Sequence, residues 1–291
     1  VSRKPVQVAQ LEDSPATVNL DAMGNLFRSE PSSQPQSGSG SFISTSLRKD
    51  VGLVTSRGRM LRVHVSDLPA MSAGVSTTAS SADKFLGLSG ESVVGIAEWL
   101  SDATYAIGTN NGVVKRLTGP FPDKEEVEVI GLKEGDKIVA FAIAEDGSEL
   151  CFVTSNANLL IFPAASVRPQ GLSAGGMSGI TASNSRVISF GVVDSDTHLV
   201  TAANSSLALG STDPGALKIT PVANYPRKGR GTQGVRCHRF LKNQDQLYFA
   251  GLSSAGPVLL NLDGSALAAV EIDQRRDGSG LAIDEYLAAA F

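Results

Sequence analysis

The chain is 291 residues long, 42% apolar and 19% charged, with a formal net charge of −4 and 30 glycines. At about twice the usual domain length it is either two ordinary domains or one large all-β unit, and its Gly-, Ser- and Thr-rich composition excludes a coiled coil, a helical bundle or wholesale disorder. No stretch approaches the roughly 18 uncharged apolar residues of a membrane helix and residues 1–7 lack the apolar core of a signal peptide, so the chain reads as a soluble, cytosolic fragment of a longer protein, starting at Val1 rather than Met.

From the N-terminus onward, similar strand–turn–strand units begin near Thr17, Gly52, Thr104, Cys151, Leu199 and Leu247. Their separations of 35, 52, 47, 48 and 48 residues match a four-stranded propeller blade of about 48 residues and exceed leucine-rich or ankyrin repeats. The first unit reads Leu20-Asp21-Ala22-Met23-Gly24-Asn25-Leu26-Phe27-Arg28, the second Thr55-Ser56-Arg57-Gly58-Arg59-Met60-Leu61-Arg62, the third Thr109-Asn110-Asn111-Gly112-Val113-Val114-Lys115-Arg116. Each places an arginine (Arg28, Arg62, Arg116) four residues after a turn glycine, whose positive φ lets the hairpin reverse, Asn111-Gly112 being the strongest signal. The corresponding places in the last three units are assigned to Phe162, Ile219 and Leu260.

Between the units, residues 31–41 and 72–83 read as exposed loops rich in small polar residues. Glu91 to Ile96, Gly135 to Phe141 and Ser185 to Phe190 read as turns entering buried strands. Asp284 to Phe291 reads as a short helix or a frayed end. No linker separates the units, so residues 1–291 are expected to form one all-β domain, a closed or nearly closed ring of six blades.

The charge is segregated. Between Pro214 and Gln244 there is no acid, while Lys218, Arg227, Lys228, Arg230, Arg236, Arg239 and Lys242 are basic. Asp123 to Glu149 carries nine carboxylates against Lys124, Lys133 and Lys137, and Arg48 to Arg62 has five basic residues against Asp50. One face can thus be basic on an acidic molecule. In the Arg227 to Lys242 segment, Gly229, Gly231 and Gly234 would let backbone N–H groups approach phosphates while the side chains supply bidentate donors; the plain alternative is a solvated loop.

Catalytic constellations are poor. His64, His198 and His238 are read as exposed residues or phosphate contacts, Glu125, Glu126 and Glu128 as a solvated blade face, and one Trp cannot furnish a sugar platform. Cys151 and Cys237 have no Cys-x-x-Cys spacing, so neither a disulfide framework nor a metal site is expected, and no phosphate-loop motif calls for a nucleotide or any other cofactor.

Two segments carry a resemblance: Val51-Gly52-Leu53-Val54-Thr55-Ser56-Arg57-Gly58-Arg59-Met60-Leu61-Arg62 and, more specifically, Asn224-Tyr225-Pro226-Arg227-Lys228-Gly229-Arg230-Gly231-Thr232-Gln233-Gly234-Val235-Arg236. They resemble the C-terminal domain of the A subunit of bacterial type IIA topoisomerases, the six-bladed β-pinwheel of DNA gyrase and topoisomerase IV, over nearly the whole chain. The resemblance implies an all-β pinwheel that binds and bends or wraps double-stranded DNA beside a catalytic core lying outside this chain. Its implied protein partners are the rest of the A subunit, which holds that core, plus an ATPase B subunit; no membrane or small-molecule substrate is implied. The implied DNA contacts are Arg227, Lys228, Arg230, Arg236, Arg239, Lys242, Arg57, Arg59, Arg62, Lys115, Arg116, Arg275 and Arg276. The gyrase heptad Gln-Arg-Arg-Gly-Gly-Lys-Gly corresponds here to residues 34–40, where Gln34, Gln36, Gly38 and Gly40 remain without charge; Gln274-Arg275-Arg276-Asp277-Gly278-Ser279-Gly280 is a related run elsewhere. The chain is thus more similar to the topoisomerase IV counterpart of an actinobacterial kind than to gyrase. The alternative from another class is a protein-interaction propeller.

Overall fold

Residues 12–31, 39–71, 80–207, 213–253 and 256–291 are described in a computed structural model. The architecture starts from one repeated hairpin turn. In it the fourth residue donates its N–H to the first residue's carbonyl, at 2.9–3.0 Å, in Asp21–Gly24, Thr55–Gly58, Thr109–Gly112, Thr154–Ala157 and Asn261–Gly264. The fourth residue is left-handed each time, with φ from 62° at Ala157 to 86° at Gly58, which explains the recurrent glycine. Where the first residue is Asp21, Thr109, Thr154 or Asn261, its side-chain oxygen also accepts the N–H just beyond the turn, at 2.8–3.2 Å.

Five sheets are four-stranded, each ordered third, first, second, outer strand. Their first three strands are Pro15–Asp21, Asn25–Ser29 and Ser39–Ser46 in blade 1; Asp50–Thr55, Arg59–His64 and Val93–Glu98 in blade 2; Thr104–Thr109, Val113–Thr118 and Ile138–Ile143 in blade 3. Blade 4 has Glu149–Thr154, Asn158–Pro163 and Val187–Val193; blade 5 has His198–Asn204, Ala216–Pro221 and Gln246–Ser253. The third strands pack against one another around the centre, where strands of blades 1 to 5 line a cavity of about 460 Å³.

Each outer strand comes from the next blade. Ser80–Ser81, Glu126–Glu128, Met177–Ser178, Val235–Arg236 and Leu281–Ala282 leave blades 2 to 6, pair with the second strands of blades 1 to 5, and the chain then returns to finish its own blade. Such an exchange seals a sheet edge that would otherwise template aggregation. Its consequence for function is geometric: the crossing segments run over the outer rim.

The core is correspondingly divided. Buried residues form five clusters, each drawn mainly from two successive blades, such as Val54 and Met60 with Tyr105, Ile107 and Leu117, or Cys151 and Val153 with Leu199 and Leu247. Both cysteines are free and fully buried here, and burial pushes both thiols well up.

Some expectations need correction. Leu247 begins no blade: it lies in the inner strand Gln246–Ser253 of blade 5, and the sixth sheet pairs Leu259–Asn261 with Leu287–Ala290. The chain end is therefore an inner strand rather than a helix or a frayed tail, because Leu287 joins the last core cluster and Ala290 packs against it. The expected loops also contribute structure at their ends, in the strand starting at Ser39, the outer strand Ser80–Ser81 and the short helix Ala82–Phe85. Gln34, Gln36 and Gly38 lie outside the described residues, while Gly40 is in the inner strand of blade 1. Among the described residues no helix is long and apolar enough to cross a membrane.

Candidate nucleic-acid interface

Blades 1 to 3 use their signature cations internally. Arg28 donates through Nε to the Leu68 carbonyl at 3.1 Å, tying blade 1 to the 3-10 turn Val65–Asp67 that leaves blade 2. Arg116 does the same two interfaces on, between blades 3 and 4: its guanidinium donates to the carbonyls of Ala144, Ala164 and Val167 at 3.1 Å and meets Asp146 at 2.8 Å, with the side chain 2% exposed. Lys115 is fully buried, its Nζ donating to the carbonyls of Val129, Leu172 and Ala174 at 2.8, 2.6 and 2.9 Å. Lys115 and Arg116 are therefore not displayed to a ligand, contrary to expectation. A long cation in an antiparallel strand can cross an inter-blade gap to orphan carbonyls, which pairing within the sheet leaves unfilled.

In blade 2, Arg59 pairs with Glu91 and with Glu126 at 3.0 Å, while Arg62 meets Asp50 at 2.7 Å and Asp123 at 2.5 Å and lies 5.4 Å over the Trp99 ring. Each of these two arginines faces two carboxylates, which neutralise it toward a polyanion. Arg57 is exposed on the hairpin turn beside them. The outer strand of this blade, Glu126–Glu128, exposes Glu126 and Glu128, so the rim is acidic here.

The rim of blades 4 and 5 is the opposite. The basic run occupies the segment that crosses from blade 5 onto blade 4: Lys228 donates its N–H to Ile161, and Val235–Arg236 forms the outer strand against Asn158 and Leu159. Lys228, Arg236, Arg239 and Lys242 are exposed, and Arg230 is half-buried, with Nη1 donating to the Ser178 carbonyl at 2.5 Å. The next crossing segment lies alongside, joined by the Arg239 N–H to Gly278 and by Asn224 to the Gln274 carbonyl, both at 3.0 Å, and it presents Arg275 and Arg276. Arg227 is tied to Glu149 and Arg275 to Asp273, leaving Lys228, Arg230, Arg236, Arg239, Lys242 and Arg276 with no ion pair among the described residues. The exchange thus brings two sequence-distant cationic segments side by side.

Four further details depart from the expectations. Lys218, part of the acid-free run, is fully buried, and His238 is 1% exposed, bonded through Nδ1 to Thr201 Oγ1 at 2.9 Å. Burial pulls the His238 imidazole down to about 4. Of the glycines expected to cradle phosphate, Gly231 gives its N–H to Gly179, and Gly234 is required where the strand backs onto the Leu159 carbonyl. By turn geometry, the places matching Arg116 are Ile161 and Ala268 rather than Phe162 and Leu260, because Ala157 and Gly264 hold the left-handed turn positions. Arg168 is exposed beside Pro169, which bridges to Arg116, and Arg186 is exposed at the turn into the inner strand of blade 4.

A ring of exchanged blades with one cationic sector on its rim defines a six-bladed β-pinwheel. More particularly, the model of the family described as DNA gyrase C-terminal domain, beta-propeller, matches the chain at residues 51–83, 127–145, 148–194 and 212–246. The chain is 31% identical over 170 residues to the topoisomerase subunit TopoM of Mycolicibacterium smegmatis, covering 57% of this chain and 21% of that protein. It is 28% identical over 192 residues to the DNA gyrase A subunit of Mycobacterium tuberculosis, covering 62% of this chain and 22% of that protein. The chain thus spans about a fifth of the length of these relatives. The crystal structure of the C-terminal domain of DNA topoisomerase IV shares its fold, with a TM-score of 0.76 at 16% identity over 97% of this chain and 94% of that one.

Proposed function

We propose that this chain binds double-stranded DNA along the outer edges of blades 4 and 5, through phosphate contacts that read no base sequence, and bends it toward a strand-passing core. The observation that carries the reading is the six cations, Lys228, Arg230, Arg236, Arg239, Lys242 and Arg276, gathered without carboxylate partners on one sector of the rim. The neutralised rim of blade 2 gives a duplex no comparable grip, so contact is confined to an arc, and an arc favours a bend over a full chiral wrap. Bending 20–30 base pairs costs of order 1–6 kcal/mol. About six phosphate contacts make affinity fall roughly a thousandfold between 50 and 200 mM salt.

The test is ligation of nicked circular DNA at low salt with increasing amounts of the chain, read as a linking-number distribution alongside gel retardation. Retardation with an unshifted distribution is expected. A progressive shift replaces bending by wrapping. Neither retardation nor shift overturns DNA binding and leaves a protein-interaction propeller.

A further inference from the structure

Lys218 and Lys115 occupy the same place in blades 5 and 3, three residues after the left-handed turn residues Gly215 and Gly112. Each is fully buried and spends its three N–H donors on crossing segments. The segments differ. Lys115 holds the carbonyls of Val129, Leu172 and Ala174, with no Lys or Arg closer in sequence than Lys133 and Arg168, each four residues away. Lys218 Nζ donates to Tyr225 Oη at 3.2 Å, the Cys237 carbonyl at 2.8 Å and the Arg276 carbonyl at 2.9 Å.

Those three acceptors lie inside the two cationic segments. Tyr225 is two residues before Arg227, Cys237 follows Arg236, and Arg276 is itself a rim cation. Tyr225 Oη also lies 3.1 Å from the Arg276 carbonyl and 3.3 Å from that of Cys237, so hydroxyl and ammonium form one buried node beneath both segments. Gly278 keeps the node compact: a Cβ there would meet the Asp273 carboxylate and come within 3.4 Å of Lys218 Cε.

We propose that Lys218, with Tyr225, is a positioning residue for the DNA-binding rim, locking the Arg227 to Arg239 segment and the Arg275–Arg276 segment into a single register so that their cations meet successive phosphates together. This rests on the DNA-binding reading above and names a device within it. Without the node, the carbonyls of Cys237 and Arg276 lose their donors and the two segments move independently, which disperses the cations without removing any exposed charge. Lys115 is the built-in comparison, an equally buried ammonium under segments whose exposed cations, Lys133 and Arg168 among them, lie at least four residues from the carbonyls it holds and are not among the six unpaired cations of blades 4 and 5.

The experiment titrates the whole chain with a 30-base-pair duplex of arbitrary sequence across 50–200 mM salt. Lys218→Met and Tyr225→Phe are expected to weaken binding at least threefold and to lower the salt slope by about one or more, whereas Lys115→Met keeps the wild-type slope. Equal slopes for Lys218→Met and Lys115→Met, or an unchanged slope for Tyr225→Phe, overturn the positioning role while leaving DNA binding intact. Tyr225→Phe retains the packed ring and decides the matter if Lys218→Met does not fold. If wild-type chain fails to bind, or if alanine at Lys228, Arg230 and Arg276 together has no effect, the DNA reading fails and the positioning role with it.

Discussion

Glu149 holds Arg227 with both carboxylate oxygens: Nε donates to them at 2.9 and 3.0 Å, and Nη2 to one of them at 2.6 Å. The most conspicuous arginine of the basic run is therefore occupied by the first strand of the blade it crosses. A bidentate pair with a carboxylate competes directly with a bidentate pair to phosphate. Glu149→Ala should release one cation to the rim, tighten duplex binding several-fold at low salt and steepen the salt slope by about one. Fluorescence anisotropy titrations at four salt concentrations measure both quantities.

Arg59 and Arg62 make the opposite case. Each is enclosed by two carboxylates, Glu91 and Glu126 for Arg59, Asp50 and Asp123 for Arg62. Replacing both by alanine should leave the salt slope unchanged, whereas alanine at Lys228, Arg230 and Arg236 should reduce it by two or three. Equal losses for the two variants, charge for charge, would show that the carboxylates yield to DNA.

The turn of blade 3 tests the repeated hairpin. Gly112 has φ 84°, and a Cβ there would run into the Ile180 carbonyl. Gly112→Ala should cost about 2 kcal/mol or more, the sum of left-handed strain and a displaced backbone. Urea denaturation reads the loss, and the variant should bind DNA with the wild-type slope, since no rim cation sits on this turn.

His238 gives the fold a dependence on acid. Its imidazole, surrounded by the core and facing Lys218, titrates at about 4 in the folded chain because burial disfavours the cation, against an ordinary value near 6.5. The unfolded chain takes up a proton that the folded chain refuses, so stability is whole above pH 6.5 and falls as pH drops from 6.5 toward 4. The loss from this residue reaches about 3 kcal/mol at the bottom of that window. Urea midpoints at pH 7, 6, 5 and 4.5 for wild type and His238→Gln should converge as the pH falls.

Much of the architecture was legible in the residues themselves. The left-handed turn glycines and the spacing of about 48 residues are local signals, since hairpin geometry depends on a few consecutive residues. They located the first strands of blades 1 to 5, and the acid-free run marked a stretch in which Arg227, Lys228, Arg236, Arg239 and Lys242 are exposed. The last blade was misplaced because the inner strand of blade 5, with its own alternation around Leu247, is indistinguishable by period from the start of a new unit.

What the sequence could not express was which cations are spent. Lys115, Arg116 and Lys218 look like rim charges in a linear reading, yet their partners are carbonyls of segments 14 to 59 residues away, brought close only by the exchange of outer strands. Likewise, Arg62 and Asp123 are 61 residues apart in the chain and 2.5 Å apart in space. Composition and periodicity determined an all-β ring with segregated charge. The tertiary structure decided where that charge remains available, because burial and pairing depend on which crossing segment lands on which blade.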